Sequence, residues 1–390
     1  MASFASALRF SSRATALVVA LTLGGLGTLP ARAAEALDTR LHEQVLMVSV
    51  GSWWSGATLQ VTIFHPPGAG PFPLAVINHG KAPGSPHEAP RNRSIYATRY
   101  FLSRGYAVAL PMLRGFAGSG GNSWIEGCDA AQEGLEQARD IADVIQTLER
   151  RTDLGTRLDP GRVVVVGQSL GGWYTLAVGA LNLPGVRGLV NFAGARNSSR
   201  CADWPDELAR DAGRLGARTH VPSLWFYGDN DQVIPSPVWH AMFARYTAAG
   251  GPAQLVDVGR FMNDSHPLLG RVEGLPLWAP PMDAFLQGLG LPSRVLHPEM
   301  LPPAYPAPTH YADVGDVKAV PLVDDQGRDG YRRFLHEAMP RVFLIADNGS
   351  FISTSGGEDP LGRAQAACRR YALHCRPYAV DDQVVWPAER

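Results

Sequence analysis

A serine at position 169 lies in the spacing Gly-x-Ser-x-Gly, within the segment Gly167-Gln168-Ser169-Leu170-Gly171. Residues 163–166 before it are four valines, which predict a strand buried on both faces, and residues 172–181 after it predict a helix packed closely on a sheet. A serine in a strained turn between such a strand and helix presents its hydroxyl for nucleophilic attack. The flanking glycines are needed because a side chain there would strike the neighbouring strand or helix. The segment therefore predicts a nucleophile rather than an ordinary glycine-rich turn.

Candidate partners for this serine occur downstream. A serine hydroxyl is a poor nucleophile until a base accepts its proton, and the usual base is an imidazole oriented by a carboxylate. A strand predicted at residues 223–227 runs into Gly228-Asp229-Asn230-Asp231, and His266 follows the strand predicted at residues 254–258. Of the six histidines after Asp231, His240 falls inside a predicted helix and four lie beyond this region. His266 is therefore the candidate base.

The elements that would position these residues alternate between strand and helix. Further strands are predicted at residues 58–64, 72–77, 106–110 and 188–192, and helices at residues 94–103, 130–148, 237–249 and 282–289, with a charged helix before residue 223. Such alternation predicts a largely parallel sheet with right-handed crossovers and helices on both faces.

The order of elements and motifs resembles the α/β-hydrolase fold, and within it the dienelactone-hydrolase-like and prolyl-oligopeptidase-like branches. The resemblance covers residues 40–292 and rests on the serine segment, the Asn78-His79-Gly80 turn, the Arg114-Gly115 loop, the segment at residues 228–231 and a late histidine. In this fold the catalytic residues follow in the order Ser, Asp or Glu, His. The resemblance thus implies Ser169 as nucleophile, Asp231 as acid and His266 as base. Asp229 is the alternative acid, although a turn-capping role suits it better.

The resemblance also implies an oxyanion hole. The backbone N–H of Leu170, directly after the nucleophile, is the first expected donor. The second is expected from the turn after His79-Gly80, at the amide of Lys81 or a residue on either side. His79 comes too early in the chain to be the base, so we expect it to hold this turn.

The beginning of the chain follows the plan of a secretory signal peptide. Arg9 and Arg13 precede an apolar stretch at residues 14–29, and Ala31-Arg32-Ala33 is a small-x-small cleavage site. A membrane anchor is the alternative, but glycines interrupt the stretch, which falls short of the roughly 18 apolar residues of a spanning helix. We expect residues 1–33 to be removed, the mature chain to lack a membrane segment, and the protein to be periplasmic or secreted.

The composition argues against several classes of partner. The chain has 35 Lys and Arg against 36 Asp and Glu, a formal net charge of −1, which provides no electrostatic case for nucleic-acid binding. No Cys-x-x-Cys or His-x-x-x-His spacing predicts a zinc site, and the glycine-rich residues 114–121 match no phosphate-binding motif. We expect no metal and no cofactor, a small-molecule ester as the partner, and leave the oligomeric state open.

Beyond residue 292 the composition changes. Five prolines predict a semi-rigid linker over residues 293–314. Residues 315–390 then predict a small α/β or α+β domain, with strands at residues 317–322 and 341–346, helices at residues 330–338 and 359–373, and one or two strands within residues 377–385. Asp381-Asp382 is interpreted as a solvated turn rather than a metal site. No chemistry is recognisable in this region.

The four cysteines are expected to form two disulfides, since an even count in an exported protein favours bridges. In the resembled fold, the loops that hold Cys128 and Cys201 both rise from the carboxyl edge of the sheet, which allows them to pair. Cys368 and Cys375 would lie roughly 10 Å apart on a continuous helix, so the helix must end between them for a bridge to form.

These residues predict an exported serine hydrolase that acts on carboxylic esters through an acyl-enzyme. A prolyl-oligopeptidase-like peptidase or amidase is the alternative enzyme, although such enzymes usually carry a large domain before the hydrolase, for which this chain has too few residues. A binding module that has lost catalysis is the other alternative. The intact Ser, Asp and His in the required order argue against it.

Overall fold

The computed structural model describes residues 37–81, 84–122, 127–198, 200–302, 304–337, 339–356, 359–371 and 373–387. Asp38–Arg390 forms one compact unit. The expected signal peptide, residues 1–33, lies outside the described residues. Among the residues that are described, no helix is both long and apolar enough to cross a membrane.

An eight-stranded sheet organises the first and larger region. Its strands are β1 (Gln44–Val50), β2 (Ala57–Phe64), β3 (Phe72–Asn78), β4 (Ala107–Pro111), β5 (Leu158–Gln168), β6 (Val186–Phe192), β7 (Ser223–Tyr227) and β8 (Ala253–Asp257). They lie in the order β1-β2-β4-β3-β5-β6-β7-β8. β2 is antiparallel to both of its neighbours, and the strands from β4 to β8 are parallel. The mostly parallel sheet is the one expected.

Helices cover both faces of this sheet. They are α1 (Ile95–Ser103), α2 (Ala130–Arg150), α3 (Leu170–Gly179), α4 (Trp204–Gly216), α5 (Ser236–Ala248) and α6 (Leu275–Gly288). α2 to α5 pack on one face and α1 and α6 on the other, so that two apolar cores enclose the sheet. In β5, Val163 and Val165 belong to the first core, and Val164 and Val166 to the second. The valine run is thus buried on both faces because successive side chains of a strand point to opposite sides.

A second, antiparallel sheet forms a small extra domain near the end of the chain. Here α7 (Asp325–Phe334) precedes β9 (Arg341–Ala346) and β10 (Phe351–Ser355), and α8 (Pro360–Arg370) precedes β11 (Cys375–Val380) and β12 (Gln383–Val384). The strand order is β10-β9-β11-β12. Its apolar cores are built from residues 305–386 only, separate from the two cores of the larger region. The exact boundaries at residues 292 and 314 stay predictions.

Two expectations about these elements were wrong, and two strands were missed. Residues 317–322 are not a strand: Val317–Ala319 is a short 3₁₀ helix that the side chain of Asp316 caps by accepting from the Lys318 N–H at 3.0 Å. The helix expected at residues 330–338 begins earlier, where Asp324 accepts from the Gly327 N–H. Strands β1 and β10 were not predicted. Local side-chain to backbone hydrogen bonds decided the first two positions, and their partners are hard to foresee from apolar patterning.

Both expected disulfides are present. Cys128 pairs with Cys201 at a Cα separation of 5.8 Å, and Cys368 with Cys375 at 6.2 Å. α8 ends at Arg370, between the second pair, so the chain turns back as the bridge requires. Two disulfides are compatible with an oxidising, extracytoplasmic compartment.

Candidate active site

Ser169 lies at the junction of β5 and α3, with φ of 55° and ψ of −125°. A positive φ is uncommon for a residue other than glycine and is maintained only where the surroundings hold it. Here the Ser169 N–H donates to Phe192 O on β6 at 2.9 Å, and the Ser169 carbonyl accepts from Trp173 and Ala195. A Cβ on Gly167 or Gly171 would overlap neighbouring backbone atoms, as expected. These contacts hold the turn in its strained backbone conformation. Ser169 thus lies at the carboxyl end of β5.

The turn after β3 packs directly against this serine. A Cβ on Gly80 would lie 3.0 Å from Ser169 Cβ and 3.6 Å from Ser169 Oγ. The absence of a side chain at residue 80 therefore lets the backbone of the turn approach the hydroxyl.

Two backbone amides near Ser169 have unused hydrogen-bonding capacity. In the part of the chain that the structure describes, the N–H groups of Leu170 and Lys81 have no acceptor. Leu170 is the first residue of α3, and the N–H groups of a first helical turn lack intrahelical partners and carry partial positive charge. An anionic oxygen that reaches either amide would satisfy such a donor.

His79 fixes the turn that holds Gly80. Its Nε2 accepts from the Leu113 N–H at 3.0 Å, so the ring proton lies on Nδ1, which donates to Gly80 O at 2.8 Å. Burial lowers the pKa of His79 to about 4, which keeps the ring neutral near neutral pH. These contacts link the turn after β3 to the loop after β4, the structural role expected for this histidine.

Asp231 and His266 lie in direct contact. Nδ1 of His266 is 2.9 Å from Oδ2 and 3.0 Å from Oδ1 of Asp231. The Asp231 side chain has no exposed surface, and its Oδ1 also accepts from the N–H groups of Val233 and Ile234 at 2.8 Å. Because a carboxylate only accepts hydrogen bonds, the contact holds the proton on Nδ1 of His266 and leaves Nε2 able to accept one.

Asp229, the alternative acid, does not reach His266. Asp229 is exposed, and its described hydrogen bond is made by its backbone N–H, which donates to Gly259 O at 2.8 Å. The structure thus brings Asp231, rather than Asp229, to the histidine.

The amino-acid sequence matches a family model over part of this region. Residues 55–244, just under half of the 390 residues, match the model of the X-Pro dipeptidyl-peptidase (S15) family. The strand order and the mostly parallel sheet of the chain are those of the α/β-hydrolase fold. No curated protein matches the sequence.

The solved structures to which this chain is similar include enzymes of different kinds. A Klebsiella pneumoniae protein described as a dienelactone hydrolase shares 18% identity at a TM-score of 0.43, over 64% of this chain and 98% of its own. An esterase from Pyrococcus furiosus shares 12% identity at a TM-score of 0.43, over 65% of this chain and 96% of its own. A puromycin-hydrolyzing peptidase from Mycobacterium tuberculosis shares 18% identity at a TM-score of 0.46, over 66% of this chain and 41% of its own.

The loop that holds His266 is positioned by three polar residues that were not predicted from the sequence. Gln168 Nε2 donates to His266 O at 2.8 Å, which ties the loop to the end of β5. Asp264 Oδ1 accepts from the N–H groups of His266 and Gln232. Asn230 donates to the carbonyls of Phe261 and Met262 and accepts from the Phe261 N–H. The only sequence signal was their proximity to Ser169, Asp231 and His266.

One group of potential metal ligands occurs among the described residues of the chain, namely Cys128, Cys201 and Glu207. The two sulfurs are joined in a disulfide, so neither is a thiolate that could bind a metal. This donor set therefore does not make a metal site.

Proposed function

We propose that the protein is an exported serine hydrolase that cleaves carboxylic esters through an acyl-enzyme. The observation that carries the proposal is the contact of His266 Nδ1 with the fully buried carboxylate of Asp231, on a loop tied to the strand that ends at Ser169. Ser169, Asp231 and His266 follow along the chain in the order that the catalytic residues of α/β-hydrolases require. Export is supported by the two disulfides and by the signal-peptide plan of residues 1–33.

In the proposed reaction, Ser169 Oγ attacks the ester carbonyl carbon while His266 Nε2 takes the hydroxyl proton. Asp231 holds the proton on Nδ1 and stabilises the imidazolium that forms. The amides of Leu170 and Lys81 donate to the oxygen that becomes negative in the tetrahedral intermediate. The alcohol then leaves with the proton from His266, and a water molecule activated by the same histidine releases the acid and restores Ser169.

Amide or peptide hydrolysis is the second candidate, and the match of residues 55–244 to a peptidase family model favours it. An amide adds one demand, because His266 must deliver the proton to a leaving amine. Purified mature protein should be assayed on p-nitrophenyl esters of graded chain length and on p-nitroanilides of the same acyl groups. We expect a higher kcat/KM for each ester than for its matched anilide. The reverse order would make the protein a peptidase or amidase.

Substitution tests the proposed catalytic residues. Ser169→Ala and His266→Ala should each lower kcat by at least about 1,000-fold, and the double variant should be little worse, because the residues act as a unit. A fluorophosphonate probe should label Ser169 alone. Losses that add in the double variant would exclude a shared mechanism.

The two aspartates of the Gly228–Asp231 segment provide a matched pair. Asp231→Asn should lower kcat by about 10,000-fold by favouring the wrong tautomer of His266. Asp229→Asn should leave kcat within about twofold, because that residue is exposed and its described contact is through its backbone. A larger loss of activity for Asp229→Asn than for Asp231→Asn would reverse the assignment.

A further inference from the structure

A cleft with a volume of about 520 Å³ lies where the larger region meets the C-terminal domain. One wall is the loop that leads to His266, through Met262 and Asn263. The others are Glu273, Tyr305 of the linker, and the turn at Asp381 between β11 and β12. The volume is within the range of small-molecule sites, and both regions of the chain contribute to it.

The walls of this cleft combine apolar surface with negative charge. Met262, Tyr305 and further valines, prolines and a methionine line it, together with the carboxylates of Glu273, Asp381 and Asp382. Among the described lining residues, no Lys or Arg is present. A ligand that combines an apolar body with a positive charge is complementary to such walls.

Asp381 was expected to be a solvated turn residue, but it is only 7% exposed. Its Oδ1 accepts from the Arg341 N–H at 2.8 Å, and its Oδ2 has no hydrogen-bond partner among the described residues. Burial raises the pKa of Asp381, although the amide of Arg341 and the charge of Arg271 oppose the rise. A buried carboxylate with a free oxygen at a cleft is stabilised by a cation that enters it.

The cationic side chains nearest to Asp381 donate to backbone carbonyls, although Nη1 of Arg271 has no hydrogen-bond partner among the described residues. The guanidinium of Arg341 donates to the backbone carbonyls of Phe334, Glu337 and Asp381. Arg271 donates to Met339 O at 3.4 Å. Within the described part of the chain neither arginine forms an ion pair with the Asp381 carboxylate, although the charges of both oppose the rise that burial causes in the pKa of Asp381. Three carboxylates line the cleft against these two arginines, so its walls keep a net negative charge.

The cleft is connected to the proposed catalytic machinery through the histidine loop. Asn230, next to Asp231, holds the carbonyls of Phe261 and Met262, and Asn263 is three residues before His266. Three residues of extended chain span at most about 11 Å. A hexanoyl chain that ends in a trimethylammonium group, measured to the outer surface of its methyl groups, is of comparable length.

We propose that this cleft binds a positively charged nitrogen on the acyl chain of the substrate, so that Asp381 and Glu273 give the enzyme a preference for cationic esters. The inference rests on the proposed function. The ring of Tyr305 adds an aromatic surface on which an ammonium group can lie. Asp381 is thus a specificity residue of the C-terminal domain, not a member of the catalytic machinery.

The test compares two p-nitrophenyl esters of equal shape, the 6-(trimethylammonio)hexanoate and the neutral 7,7-dimethyloctanoate. We expect the full-length enzyme to prefer the cationic ester in kcat/KM. Asp381→Asn should remove about tenfold of that preference, and Glu273→Gln about threefold, with kcat/KM for the neutral ester unchanged. Asn retains an oxygen for the Arg341 N–H, which protects the fold. Asp325→Asn, at an exposed carboxylate of the same domain, is the control and should change neither ester.

Binding provides a readout that does not depend on hydrolysis. Hexyltrimethylammonium should bind the wild-type protein in calorimetry, and Asp381→Asn should weaken that binding by about fivefold or more while Asp325→Asn leaves it unchanged. No binding to the wild type, or equal binding by both variants, overturns the proposal for the cleft. Binding without hydrolysis of either ester overturns the proposed function instead and leaves the cation site standing.

Discussion

The parallel sheet of the first region and the antiparallel sheet of the C-terminal domain distribute their polar groups differently. Parallel strands all end at the same edge, so the turns after β3, β5, β7 and β8 bring Gly80, Ser169, Asp231 and His266 to one edge of the sheet. In β9–β12 neighbouring strands run in opposite directions, and no edge collects the ends of all strands. The second sheet is therefore suited to forming one wall of a cleft, whereas the first sheet can bring several catalytic side chains together.

The two regions also differ in what stabilises them. The first buries both faces of its sheet in two large cores. The second depends on small cores rich in aromatic rings, including Tyr331, Phe343 and Tyr378. Each region contains one disulfide, and the sequence separations differ by a factor of about ten, 73 against 7 residues. The comparison can therefore be tested with matched variants.

The largest expected difference concerns these disulfides. In the chain-entropy view, closing a 73-residue loop stabilises by about 4 kcal/mol and closing a 7-residue loop by about 2 kcal/mol. The Cys128→Ser/Cys201→Ser protein should lose more unfolding free energy in urea than the Cys368→Ser/Cys375→Ser protein. An equal loss of unfolding free energy in both proteins would contradict the view that the disulfides stabilise the protein by restricting its denatured chain.

His79 predicts a dependence on pH that belongs to the first region. Its pKa is about 4 in the folded protein against about 6.5 when unfolded, so the unfolded state binds the proton more readily. The contribution is complete above pH 6.5 and is lost as pH falls towards 4, at up to about 1.4 kcal/mol per pH unit. Urea unfolding of wild type and His79→Gln between pH 4 and 7 measures it. A wild-type slope no steeper than that of the variant would contradict the assignment.

Removal of the second region should have the smallest effect on the chemistry itself. A chain that ends after Leu301 keeps Met300 in the first region's core, together with the Leu296 and His297 amides on Ser103 O. It should fold, and its kcat/KM for p-nitrophenyl acetate should stay within about threefold of wild type, because all proposed catalytic residues precede the cut. Loss of activity in a truncated protein with intact circular dichroism would show that the C-terminal domain helps to build the reaction centre.

Most elements of the first region could be predicted from the amino-acid sequence alone. Buried runs such as residues 163–166 and 223–227 predict strands because continuous apolar stretches need burial on both faces, and alternation with helices predicts a parallel sheet. The Gly-x-Ser-x-Gly turn and both disulfide pairs also followed from local spacing together with the resembled fold. These signals depend on residues that are close along the chain or on a repeated order of elements.

The hydrogen bonds between polar side chains that are distant in sequence are seen only in the folded chain. It brought Asp231 to His266 across 35 residues, engaged Gln168 and Asn230 in holding the histidine loop, and buried Asp381, whose sequence is that of an exposed turn. The resembled motif favoured Asp231 over Asp229, but only the folded chain shows which of the two contacts His266. The environment of Asp381 is created by a loop and a linker more than 70 residues away. Burial and partner choice depend on contacts between segments distant in sequence, which composition and periodicity do not encode.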